Sequence, residues 1–66
     1  MTIPVFICSS ALYAQEVNSV INTGNEAYRK GEYSLAATLY KKALETEAGN
    51  TVAMFNLGNA LQKQKA

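Results

Sequence analysis

Two short stretches of this chain share a spelling. Asn22 to Asn25 reads NTGN and Asn56 to Asn59 reads NLGN, a spacing of 34 residues. A fixed period of that size means that one supersecondary unit is repeated along the chain. Each unit then buries its apolar face against a neighbour, because it cannot bury that face alone. No property of the composition constrains the fold as tightly.

The residues between the two stretches have helical spacing. Val17, Val20, Ile21, Gly24, Ala27 and Tyr28 follow steps of three and four, which places them on one face of an α-helix. Gly31, just past the basic pair Arg29 and Lys30, predicts its end. A second helix is expected from Glu32 or Tyr33, with Tyr33, Ala36, Ala37, Tyr40, Ala43 and Leu44 on its stripe. Gly49 and Asn50 are its expected C-cap and turn residues. A third helix follows with Asn50 or Thr51 as N-cap. Its stripe is Met54, Leu57, Gly58 and Leu61, with Phe55 alongside, and Lys63 and Lys65 lie near its negative pole. No segment reads as a strand. The expectation is an all-α fold: one helix-turn-helix unit over residues 17–50 and the first helix of a second over residues 51–66.

Residues 1–14 have a different character. Ile3 to Ala14 carries no charge and is mostly apolar or small. It is too short to span a bilayer but fits the apolar core of a secretory signal, roughly 7–15 residues. Cleavage would fall after Ala14. Against this, no Lys or Arg stands near Met1, and Leu12 is larger than the site prefers. The alternatives are a loosely packed apolar arm and an extra helix. Lipidation at Cys8 is disfavoured by the bulky Ile7 before it. Removal of the leader would leave no cysteine, which suits an oxidising compartment.

Composition excludes several functions. In 66 residues, six basic and five acidic side chains are well mixed and leave a net charge of +1, so there is no basic stripe for nucleic acid. The single cysteine cannot close an intrachain disulfide, and without histidine no metal-ligand cluster is spelled out. Ser19 and Ser34 have no general base at a useful spacing, and no glycine-rich phosphate loop occurs. No catalytic residue, metal or cofactor is therefore assigned, and no small-molecule substrate.

A period of 34 with two helices per unit resembles the tetratricopeptide repeat (TPR). The repeat's first-helix positions are Val20, Thr23, Gly24 and Ala27 in one unit, and Met54, Leu57, Gly58 and Leu61 in the next. Its second-helix positions are Ala36, Tyr40 and Ala43. Ala48 stands in place of the closing proline, Thr23 in place of leucine, and there is no tryptophan. The resemblance covers all of the chain except the leader. It implies a TPR-type α-solenoid in which Gly24, Ala36, Tyr40, Ala43, Leu57, Gly58 and Leu61 are packing residues. Gly24 and Ala36 are expected where the first two helices cross most closely, with Ala43 against the third.

The run from Gly24 to Glu45 and the text FNLGNALQKQ, after a leader ending AQE, also resemble the TPR proteins of bacterial aerotolerance operons. That resemblance implies an exported, periplasmic or envelope-associated scaffold for protein partners. TPR arrays commonly bind peptides on the concave surface formed by each repeat's first helix. Here its positions would be Asn18, Ile21, Asn25, Tyr28, Arg29, Val52, Phe55, Asn59, Gln62 and Lys63. Asparagine amides both donate and accept, so they can hold an extended backbone, while Arg29 and Lys63 can meet carboxylates. Ile21 stands where recognition of a C-terminal carboxylate would need lysine, so that activity is not carried over.

One repeat and a half should leave apolar surface exposed around Met54, Leu57 and Leu61. Two readings meet this expectation. In the first, the chain is part of a longer interaction scaffold. In the second, it completes its solenoid by self-association through the third helix.

Overall fold

In a computed structural model of the chain, the backbone is described for residues 2–65 and the side chains for residues 16–65. Three helices follow one another: α1 (Thr2–Arg29), α2 (Tyr33–Thr46) and α3 (Thr51–Lys65). The fold is all-α, as the spacing predicts. The central helix α2 packs against both neighbours, whereas α1 and α3 scarcely meet.

The two turns follow from local chemistry. Gly31 adopts φ +83°, a left-handed conformation that side-chain-bearing residues rarely take. There the Glu32 amide reaches back to the Ala27 carbonyl at 2.9 Å, and the Gly31 amide to the Tyr28 carbonyl at 3.0 Å. These two bonds satisfy carbonyls that the end of α1 would leave open. After α2, the Asn50 side chain accepts from the Ala53 amide at 2.9 Å, making Asn50 the N-cap of α3. Its Nδ2 donates to Glu47 Oε1 at 2.8 Å, which fixes the cap to the preceding turn. Gly49 lies in this turn, but Gly31 alone has positive φ among the described residues. The Glu47 amide ends α2 by bonding the Ala43 carbonyl at 2.9 Å. Gly49 is thus a turn residue and not a left-handed C-cap.

Helix α1 runs unbroken past Ala14, so the change of spacing at Val17 is not a break in the backbone. The side chains of the leader lie outside the described residues. No helix among the described residues is long and apolar enough to cross a membrane.

The core is built mostly from small residues. Ala27, Ala36, Ala37, Ala43, Ala53 and Ala60 are all buried, together with Val17, Ile21 and Tyr40. Each alanine contributes only its methyl group, worth about 0.8 kcal/mol. Alanine's value here is close approach, and Tyr40 is the largest side chain that is fully buried. Ile21 is 5% exposed, so it belongs to this core and cannot face a ligand. Its place on the Val17–Gly24 stripe decides this outcome over its place among the concave positions. Gly24 is indeed at a close approach, but its neighbour is an aromatic ring. A Cβ there would stand 2.7 Å from Tyr40 Cε1. Gly24 makes room for Tyr40, and Ala36 is buried in its own right.

Two expected packing residues on α3 are not packed. Nothing lies within 4 Å of a Cβ built on Gly58, and Leu61 is 41% exposed. Leu57 is half-buried against the core. The reason is directional: α3 turns Ala53 and Ala60 inward, while Gly58 and Leu61 lie on a side where no described element packs. Met54 and Phe55 are exposed there as well, so the expected apolar surface is present.

Candidate protein-interaction surface

A hydrogen-bonded node joins all three helices. The Tyr40 hydroxyl on α2 donates to Asn25 Oδ1 on α1 at 2.6 Å. Asn56 Nδ2 on α3 donates to the same oxygen at 3.0 Å. Two donors fill the two lone pairs of Asn25 Oδ1 and leave its Nδ2 hydrogens for other acceptors. Burial pushes the Tyr40 hydroxyl above its ordinary value of 10.0; the Tyr28 phenol adds to the rise and the Arg29 guanidinium opposes it. Tyr40 is therefore a neutral donor at ordinary pH.

The node forms the floor of a cleft of about 220 Å³, lined by Asn25, Tyr28, Arg29, Tyr40, Asn56 and Asn59. Tyr28 is half-buried and fixed edge-on against Tyr33, with ring centroids 5.1 Å apart and planes at 69°. That geometry suits the aromatic quadrupoles and holds Tyr28 as a rigid wall. Arg29 is paired with Glu26 at 2.6 Å, but both side chains are more than half exposed. Such a pair contributes at most about 1 kcal/mol, so Arg29 can leave Glu26 for a ligand carboxylate. A shallower depression beside the cleft is lined by Tyr28, Asn59, Gln62 and Lys63.

The expected concave residues thus separate into groups. Asn25, Tyr28, Arg29 and Asn59 meet in one cleft, and Gln62 and Lys63 continue it. Phe55 and Val52 are exposed on α3, with Phe55 on its outer apolar groove. Asn18 lies apart, with Ser19, Asn22, Thr23 and Glu26. Ile21 is in the core. Sequence reasoning gave Tyr40 a place in packing only, and Asn56 a place beside Asn25 only in a carboxylate grip that is not carried over. A signal for Asn56 exists: it lies three residues before Asn59, so the two amides share a helical face.

The cleft presents amides, a phenol and one guanidinium, a set that binds polar backbone and carboxylate groups. Comparison of the chain with protein families, with curated proteins and with solved structures finds no match.

Proposed function

We propose that this chain is a protein-interaction module of TPR type, within an exported, envelope-associated scaffold, and that it receives an extended peptide segment in the Asn25–Asn59 cleft. The observation that carries this reading is the arrangement of three asparagines around the cleft. Asn25 has its oxygen filled by Tyr40 and Asn56, so it offers donors of fixed orientation. Asn56 and Asn59 line the same cleft and complete a set that can match the alternating carbonyls and amides of a peptide. The internal 34-residue period supports the repeat reading, and the uncharged apolar leader supports export.

The test is selection of phage-displayed random decapeptides on the full chain, followed by titration of the recovered peptides. Arg29→Ala should weaken them about tenfold or more with helicity unchanged, while Phe55→Gln should leave them unchanged. Peptides that ignore Arg29→Ala but need Phe55 would move the binding surface to α3 and overturn the cleft reading.

A further inference from the structure

Arg29 is the chain's one arginine, and no other charged side chain lines the Asn25–Asn59 cleft. Helical spacing gives it two neighbours on α1: Asn25 four residues before it, inside the cleft, and Glu26 three residues before it. Glu26 lines a different depression, on the polar side of α1 with Asn22 and Thr23. Arg29 therefore stands on the ridge between the two. Its guanidinium is turned to the Glu26 side, where Nη2 donates to Oε2 at 2.6 Å. The hydrogen-bonded node accounts for that choice. Asn25 Oδ1, the acceptor on the cleft side, already receives Tyr40 and Asn56, and the groups Asn25 has left are donors. A guanidinium only donates, so it gains nothing beside them. The ion pair leaves the empty cleft without a free positive charge.

We propose, on the basis of the peptide-cleft reading, that Glu26 is an internal competitor for the ligand: an acidic side chain of the bound peptide takes Arg29 over from Glu26, exchanging one ion pair for another. A carboxylate in the cleft supplies the acceptor that the node withholds. It can receive Arg29 and the spare Asn25 Nδ2 hydrogens together, and bonds of this charged kind are roughly twice as strong as neutral ones. A neutral carbonyl offers less than the Glu26 carboxylate and leaves Arg29 where it stands. The exchange is easy because both side chains are open to water, Arg29 at 66% and Glu26 at 61%. An exposed pair of this kind shifts an equilibrium by up to about fivefold, which is the factor by which Glu26 weakens acidic ligands. It also makes their binding insensitive to salt, since as many ion pairs are broken as formed.

The experiment uses random decapeptides displayed on phage through their C-termini and selected on the full chain. Recovered peptides containing Asp or Glu are synthesised with both ends blocked, beside versions with Asn or Gln instead. Glu26→Gln should tighten the acidic peptides by about three- to fivefold, give them a salt dependence, and change the amide versions by less than about twofold. In an Arg29→Gln background the same substitution should do nothing. Equal tightening of acidic and amide peptides would overturn the proposal. So would tightening that persists in Arg29→Gln, because Glu26 would then act by simple repulsion. Recovery of neutral peptides alone, still dependent on Arg29, would overturn it and leave the peptide-cleft reading standing. Recovery of no Arg29-dependent peptide would end both. A second arm needs no peptide. Phenylglyoxal attacks arginine, so mass spectrometry follows Arg29 by itself. Its modification should run about two- to fivefold faster in Glu26→Gln. Equal rates would mean that Glu26 does not hold Arg29, and would overturn the proposal.

Discussion

Helices α1 and α3 share the NTGN/NLGN text at an offset of 34 residues, yet they bury opposite faces. In α1 the covered side holds Val17, Ile21, Gly24 and Ala27, while Ser19, Asn22, Thr23 and Glu26 are exposed. In α3 the counterparts of the exposed set are inward or half-buried: Ala53, Asn56, Leu57 and Ala60. The counterparts of the covered set are outward. Helix α1 turns its buried side to α2, the element that follows it, and α3 turns its buried side to α2, the element that precedes it. On α1 the side away from α2 is polar. Thr23, where the resemblance implies leucine, lies on this exposed side. On α3 the side away from α2 carries the exposed Met54, Phe55 and Leu61.

The sharpest way to break the comparison is a pair of matched substitutions. Gly24→Ala should destabilise by about 1–3 kcal/mol, because the new Cβ meets a buried, hydrogen-bonded ring at 2.7 Å. Gly58→Ala should stabilise by up to about 1 kcal/mol, because α3 gains helix propensity without a clash. Urea midpoints of the two variants should move in opposite directions; equal shifts would end the distinction between a covered and an open helix. Ala36→Leu, at a fully buried position, should lose about 1–3 kcal/mol and visible helicity.

Tyr40→Phe should lower stability by about 1 kcal/mol, since one hydrogen bond to Asn25 is lost while Asn56 still satisfies the oxygen. The same residue gives a pH signature. Its folded pKa is raised, so its contribution is complete below the unfolded value of 10.0 and is lost as pH rises through the folded value. Urea midpoints taken upward from pH 10 should fall for the parent chain and flatten for Tyr40→Phe. Asn50→Ala should lose about 1 kcal/mol by removing the cap of α3, read as reduced helicity in its first turn. Phe55→Gln should change stability least, within about 0.5 kcal/mol, because the ring is 70% exposed.

Three elements, the Gly31 turn and the Asn50 cap were legible because each depends on residues close in sequence. The exposure of Met54 and Leu61 was legible too, because it follows from counting repeat faces. Ile21 was harder. Helical spacing places it on the core stripe and also beside the concave positions, and only the direction of α2 separates the two. Gly24 signalled a close approach, but which atom approaches depends on how two helices cross. The contact of Tyr40 with Asn25 spans 15 residues and has no local signature. The cleft was therefore half visible, its rim on α1 and α3 but not its floor.

The polar face of Ser19, Asn22, Thr23 and Glu26 also sets a limit on growth. A molecule with one adhesive end and a complementary opposite end stacks head to tail into an open fibre. Here the adhesive side of α3 would meet hydroxyls, an amide and a carboxylate on the next molecule's α1, groups that lose water without apolar contact in return. Stacking of that kind is self-terminating.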